Sequence, residues 1–272
     1  MTLADIQSEL DHRGIGVDEV GISSLRYPVS VFDRVQGKQD TIADVSVSVA
    51  LPPEQRGTHL SRLVEVLDAH AGELTPQSIP GVLQAIKTRL GVHDARLQME
   101  FPYFIRRQAP ISGSSAFVDY TCGFSAAVRD EEIALSIIAR VPVTSVCPCS
   151  KAISDYGAHN QRGTLTVRAR SANHVDAGVE ALWMEDLIVA AEASASSPVY
   201  PLLKRIDERH VTMAGYDRPV FVEDMVRGVA ERLHLDSRII WFSVEAVNDE
   251  SIHNHNAFAR LAWPVGEEAL PW

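Results

Sequence analysis

The stretch Val146-Cys147-Pro148-Cys149-Ser150-Lys151, continued by Gly157-Ala158-His159-Asn160-Gln161-Arg162-Gly163, decides how this chain is divided. Before it, residues 133–146 carry a strand-like alternation. After it, Leu165, Val167 and Ala169 alternate with Thr164, Thr166 and Arg168, the period-two pattern of a half-buried strand. Pro148 has no N–H to give to a ladder, so a strand ends or bulges there. Gly157 makes a chain reversal easy. The stretch therefore reads as a junction between two structural modules.

On its N-terminal side the module starts with Val45, Val47 and Val49 alternating with Asp44, Ser46 and Ser48. Pro52 and Pro53 end that strand. Leu60, Leu63, Val64 and Leu67 fall at helical spacing. A second helix is expected around Val82, Ile86 and Leu90, between Pro80 and Gly91. Leu97, Met99 and Phe101 alternate again, and another alternating region starts near Phe117. The turn Arg129-Asp130-Glu131-Glu132 predicts a hairpin leading into residues 133–146.

On the C-terminal side the order repeats. Val179, Leu182, Trp183, Leu187 and Ala190 form one apolar helical face. A loop with Ser196, Ser197, Pro198 and Pro201 follows. Val222, Val226, Val229 and Leu233 form another face, and residues 239–247 and 257–263 read as closing strands. The expectation is an α+β fold of two tandem strand-helix-helix-strand modules with antiparallel sheets. Residues 1–38 read as a mostly irregular arm, 39–150 as the first module and 151–272 as the second, in one integrated bimodular domain. Small antiparallel sheets leave open edges, which favours a homo-oligomer.

Composition narrows the function. At 272 residues, with 46% hydrophobic and 22% charged residues, the chain has ample material for a core. A net charge of -11 argues against a nucleic-acid partner bound by broad phosphate neutralisation. A phosphorylated small substrate stays compatible, because it needs only a local basic cluster. Three cysteines, Cys122, Cys147 and Cys149, do not make a secreted disulfide framework. The start MTLADIQSEL has no signal-peptide core, and no stretch approaches the ~20 apolar residues of a membrane span. The expected setting is the cytoplasm, with no membrane partner.

Four segments carry candidate chemistry. Cys147 and His159 offer a thiolate and an imidazole, good ligands for a borderline-soft divalent ion. Their alternatives are a small buried hydrophobe at Cys147 or a structural zinc site. Glu250, His253 and His255 follow. The histidines stand at i, i+2, on one face if the segment is a strand, and suit a metal or a proton relay. The alternative is polar decoration of a strand end. The charged run at 203–210, with Lys204 and Glu208, and the acid Glu223 read on their own as a solvated face and a helix-start acid. The segment at 56–62, with Arg62, is a helix start where a phosphate or a simple cap would fit.

Taken together, these segments resemble type IB GTP cyclohydrolase, a family with the tunnelling fold. The matching stretches are RGTHLSR at 56–62, CPCSKAISDYGAHNQRG at 147–163, YPLLKRIDERHVT at 200–212, FVEDMVR at 221–227 and ESIHNHNAF at 250–258. The long central stretch is the specific one. Leu60 departs from the methionine expected in many relatives, a mild packing change.

The resemblance implies homotetramers with active sites at subunit interfaces and no nucleic-acid partner. It implies conversion of GTP and water to 7,8-dihydroneopterin triphosphate and formate, a hydrolase reaction that starts folate-type pterin synthesis. It implies a divalent metal, Zn2+ or Mn2+/Fe2+, with Cys147, His159 and Glu208 as ligands. Glu250, His253 and His255 form a second acid and histidine group at the same site, with His253 and His255 joining Cys147 and His159 as catalytic candidates. Glu223 is expected to hold the guanine edge. Lys151, Arg162, Arg62 and Lys204 are candidates for the triphosphate. Two related activities compete: an archaeal-type enzyme making a cyclic-phosphate pterin, and a tunnelling-fold nitrile reductase acting on a deazaguanine.

Overall fold

The computed structural model describes residues 5–70, 74–171 and 181–265. The elements in chain order begin with β1 (Val17–Asp33), β2 (Gly37–Leu51), α1 (Leu60–Ala69), α2 (Ile79–Leu90) and β3 (Asp94–Gln108). Next come β4 (Ser115–Arg129), β5 (Glu132–Val146), α3 (Pro148–Ile153) and β6 (Asn160–Ser171). The last are α4 (Met184–Glu192), β7 (Ser197–Pro198), α5 (Arg205–Asp217), α6 (Val222–His234), β8 (Ile239–Asn248) and β9 (Ala257–Trp263). The order strand, helix, helix, strand occurs twice, as β2-α1-α2-β3 and as β6-α4-α6-β8 with β7 and α5 inserted.

Among the described residues, one compact unit takes in 5–101 and 123–136. Its strands pair antiparallel, β1 with β2 from Val17↔Leu51 to Asp33↔Gly37, and β2 with β3 from Asp44↔Glu100 to Val49↔Ala95. Val45, Val47 and Val49 of β2 and Leu97 and Met99 of β3 are buried, as their alternation requires. Leu63, Val66 and Leu67 of α1 and Val82, Leu83 and Ile86 of α2 join that core. Gly91 ends α2 in the left-handed conformation, φ 67°, where a Cβ would be strained.

Two local expectations need correction. Residues 17–33 are a strand, not an irregular arm. Its ladder shifts register between Val17 and Val20 and again between Ile22 and Leu25, and Ser24 has φ 58°. Such bulges break the period of two, and the first half of β1 is largely exposed, so no apolar alternation marks it. On α1 the buried face runs through Val66, while Leu60 and Val64 are 36% and 39% exposed.

The other unit takes in residues 102–122, 137–171 and 181–265. Here β5 pairs with β6, β6 with β8 and β8 with β9, all antiparallel, and the two-residue β7 adds to β5 at Val143↔Pro198. Helix α6 buries Val222, Met225, Val226, Val229 and Leu233, and packs on β8, β9 and α4. Val179, assigned above to the α4 face, lies outside the described residues. The charged run at 203–210 is the start of α5, whose only buried residues are Asp207 and Gly215. Its lack of an apolar stripe is why periodicity did not reveal it.

Asp207 is what anchors α5. Its carboxylate accepts hydrogen bonds from the backbone N–H groups of Ile111, Ser112 and Lys204 and from the Ser112 hydroxyl, at 2.7–2.9 Å. Burial works to raise this carboxyl, but the hydrogen bonds from Ser112, Lys204 and Ile111 outweigh it and hold it well below the usual carboxylate range. Its contribution is therefore present above the unfolded-state value of about 4 and is lost as pH falls toward the folded value. Asp207→Asn is expected to lower the melting temperature by several degrees at about pH 7, with a gap that narrows below about pH 4. Thermal melts of both proteins across that range check this. A gap of constant size would contradict it.

Candidate active site

The β5–β6 ladder runs without interruption from Ile137↔Ala169 to Val146↔Asn160. It stops where Pro148 follows Cys147. Cys147 becomes the N-cap of the short helix α3, its Sγ accepting the Ser150 N–H at 3.4 Å. The chain leaves β5 at Cys147 and returns to β6 at His159. The return is fixed twice: Cys147 N–H donates to the His159 carbonyl at 3.1 Å, and His159 N–H donates to Ser150 Oγ at 3.0 Å. Two residues twelve apart in sequence are thus neighbours because the ladder closes the loop between them.

A polar group lies beneath this loop. His159 Nδ1 is 2.8 Å from Gln161 Oε1 and 3.9 Å from Glu250 Oε2. The His159 and Glu250 side chains are only 13% and 14% exposed. Gln161 Nε2 donates to Ser145 Oγ at 2.7 Å and to Glu250 Oε1 at 3.5 Å, and Asn248 Nδ2 donates to the same Ser145 Oγ at 2.9 Å. Ser145, Gln161 and Asn248 are all buried. Gly163 faces Asn248 across the ladder, and a Cβ there would come within 2.3 Å of Asn248 Oδ1, so a side chain would expel the amide. Asp249 N–H donates to the Arg162 carbonyl at 2.9 Å, which brings Glu250 alongside Gln161.

His253 and His255 lie in the exposed turn between β8 and β9, outside the two closing strands. The turn is made partly by His253 N–H donating to the Glu250 carbonyl at 3.2 Å. Even so, the two imidazoles share a side: their rings are 5.0 Å apart and 10° from parallel. Cys149 is exposed on α3. Cys122 is buried on β4, and burial, with Glu185 nearby, pushes its thiol pKa up, which leaves it a packing role.

Glu223 sits exposed in the first turn of α6. The lead-in to α6 is tied to the same strand end, since Val220 N–H donates to the Val146 carbonyl at 3.1 Å. The start of α6 is thereby held next to Cys147. Asp224, not Glu223, caps the helix by accepting the Phe221 N–H at 3.1 Å, so the carboxylate of Glu223 is spare. Glu208 is exposed in the first turn of α5. That helix approaches Val146 through Gly215, two turns and about 10 Å further along. Among the described residues, no three His, Cys, Asp or Glu side chains converge as a metal-holding group. One chain brings Cys147, His159 and Glu250 to one loop and strand end, with the His253–His255 pair on the adjoining turn, while Glu208 stands on α5.

Of the basic candidates, Arg162 is exposed on β6. Lys151 donates to the Tyr216 carbonyl and lies 4.1 Å from the Tyr216 ring centroid, so it secures the end of α5. Lys204 is exposed ahead of α5, and Arg62 lies on α1 in the other unit. Sequence reasoning did not single out Ser145, Gln161 and Asn248. A signal existed for two of them: in extended chain, Gln161 shares a side with His159, and Ser145 with Cys147.

Residues 3–259 match the profile of a family described as Type I GTP cyclohydrolase folE2. The GTP cyclohydrolase FolE2 of Syntrophus aciditrophicus is 45% identical over 257 residues, covering 94% of this chain and 98% of that protein. That of Magnetococcus marinus is 44% identical over 259 residues, covering 95% of each. Among solved structures, uricase from Arthrobacter globiformis matches with a TM-score of 0.52 at 10% identity, covering 92% of this chain and 95% of that one. A hyperthermostable mutant of Bacillus sp. TB-90 urate oxidase matches with a TM-score of 0.55 at 11% identity, covering 90% and 98%. At such identities the likeness shows the fold alone, the α+β tunnelling fold. With the family matched over nearly its whole length, the chain belongs to the type I GTP cyclohydrolase FolE2 family.

Proposed function

We propose that this chain is a GTP cyclohydrolase that hydrolytically opens the imidazole ring of GTP at C8, giving 7,8-dihydroneopterin triphosphate and formate for folate synthesis. The observation that carries the reading is the clamp of Cys147 to His159 at the end of the β5–β6 ladder, with the Glu223 helix start tied to the same strand end. The donor chemistry at the clamp fits a divalent ion: a half-buried thiol and an imidazole whose Nε2 is not engaged by Gln161 or Glu250. Cys147 and His159 would hold it, with Glu208 as the third ligand implied by the family resemblance. Zn2+ suits the thiolate best, and Mn2+ or Fe2+ suit the imidazole and carboxylate. When bound, the ion supplies Lewis acidity and brings the pKa of water toward neutrality, making hydroxide available to a poor electrophile such as C8.

The chain's own residues supply the rest. His253 and His255, parallel and exposed on their turn, are placed to move a proton to the purine nitrogen as the ring opens. Glu223 accepts two hydrogen bonds from the N–H groups of the guanine edge, a pair that adenine cannot present. Arg162, Arg62 and Lys204 are candidates for the triphosphate. Lys151 serves there only by releasing Tyr216.

The assembly we propose is a homotetramer with sites at subunit interfaces. Supporting it are β1, seen paired with β2, and β9, seen paired with β8, each an edge strand of its own unit among the described residues, and the exposed Ile252 and Phe258 beside the histidine turn, at 64% and 66% exposure. All three cysteines are free, which supports a reducing cytoplasm, and among the described residues no helix is long and apolar enough to cross a membrane.

Incubating protein loaded with zinc, manganese or iron with GTP is expected to release formate and a fluorescent pterin after oxidation, with no comparable turnover of ATP. Absence of formate with all three metals would defeat the reading. Cys147→Ala is expected to abolish ring opening and weaken zinc binding, while Cys149→Ala keeps substantial activity. Equal loss in both would favour a two-thiolate site instead. Glu223→Gln exchanges an acceptor for a donor at the base edge, and is expected to lower kcat/KM by roughly 10²- to 10⁴-fold with metal content retained. Loss of metal in that variant would make Glu223 a ligand instead.

A further inference from the structure

We infer that Gln161 is a positioning residue that locks His159 in the Nδ1–H tautomer, so that Nε2 is the nitrogen offered to the metal, with Glu250 standing behind the ring as an outer partner. The inference rests on the proposed role of His159 in holding a divalent ion.

Two oxygens that act as acceptors face the ring. His159 Nδ1 faces Gln161 Oε1 at 2.8 Å and Glu250 Oε2 at 3.9 Å. A carboxylate oxygen cannot donate, so it favours a hydrogen on Nδ1. The amide of Gln161 is oriented by the same carboxylate. Its Nε2 points at Glu250 Oε1, 3.5 Å away, and at Ser145 Oγ, 2.7 Å away. Turned over, the amide would set its oxygen against the carboxylate oxygen of Glu250. Oε1 therefore faces His159 as an acceptor, and Nδ1 carries the hydrogen. Nε2 is left with a lone pair, the state a metal ligand requires.

Strand register holds this arrangement. Ser145 and Gln161 are direct partners across the β5–β6 ladder, and Gly163 and Asn248 are partners across β6–β8. Asn248 reaches Ser145 because Gly163 leaves room for its amide. Ser145 is completely buried, so its oxygen has no water to exchange for Gln161. The chain Asn248, Ser145, Gln161, His159 links three adjacent strands to one ring nitrogen. Glu250 lies on the Nδ1 edge, away from Nε2. Of the carboxylates considered as ligands, it becomes the partner that stands behind the imidazole and orients the Gln161 amide.

The test is the tautomer itself. Full-length, metal-free protein labelled with 15N-histidine is examined at pH 8.5 by long-range 1H–15N correlation, with His159 assigned by its loss in His159→Asn. The wild type is expected to show Nδ1–H, and an Nε2–H pattern would overturn the inference. Gln161→Leu is expected to shift the ring toward Nε2–H and to weaken zinc affinity by about 10–100-fold, measured by competition with a chromogenic chelator. Gln161→Glu alone would set two carboxylates against each other, so the rescue is the exchange Gln161→Glu/Glu250→Gln, which keeps an acceptor on Nδ1 and an amide donor between the two side chains; it is expected to restore both. Gln161→Leu with tautomer and zinc affinity unchanged would overturn the inference, as would the exchange variant with the ring at Nε2–H. If Gln161→Leu does not fold, the wild-type spectrum and the exchange variant decide. A protein that shows these signatures but opens no GTP would keep this inference and defeat the proposed reaction. One that opens GTP with His159 as Nε2–H would do the reverse.

Discussion

The β5–β6 ladder is the constraint on which the site depends. An antiparallel pairing fixes which residues stand opposite one another and on which face, and a slip of one position would turn every side chain over. Here the register that buries Val141, Val143, Leu165 and Val167 also sets Ser145 opposite Gln161 and ends at Val146↔Asn160. The apolar residues supply the driving force for that register. The polar residues at its end inherit their placement from it. Pro148 then forbids the ladder to continue, and the chain has to cap α3 with Cys147 and come back at His159.

The same strand end gathers elements from far along the chain. Val220 bonds to Val146 and brings in the start of α6 with Glu223, while Gly215 lets α5 lie against the Val146 side chain. Asp207 fixes α5 from its other end by holding the loop at Ile111 and Ser112. The Val220 and Asp207 attachments use backbone or buried polar bonds that would be costly to leave unmade. The exposed groups, Glu223, His253, His255 and Arg162, stand on elements held by hydrogen bonds of their own. A scaffold of that kind keeps functional side chains available for a ligand.

Much of this was legible in the sequence, because much of it is periodic. Val45-Val47-Val49, Leu97-Met99-Phe101 and Leu165-Val167-Ala169 declared their strands, and Val222, Val226, Val229 and Leu233 declared α6. What stayed hidden lacked a period. β1 is bulged and half exposed, and α5 has almost no apolar face. At the site, Cys147 and His159 could be paired from their spacing and the intervening glycine. The Ser145–Gln161–Asn248 group could not be assembled, because it depends on cross-strand register, which single strands do not reveal. The histidine pair shares a side as an i, i+2 pair would in a strand, but a tight turn stacks the rings by another route that spacing alone does not reveal.

The metal site we propose joins a single thiolate, Cys147, to His159 at the place where strand register ends the ladder. X-ray absorption at the zinc edge of the zinc-loaded protein is the decisive measurement. One sulfur scatterer at about 2.3 Å is expected, with the remaining neighbours nitrogen or oxygen at about 2.0–2.2 Å. A coordination shell with no sulfur, or with two, would contradict it.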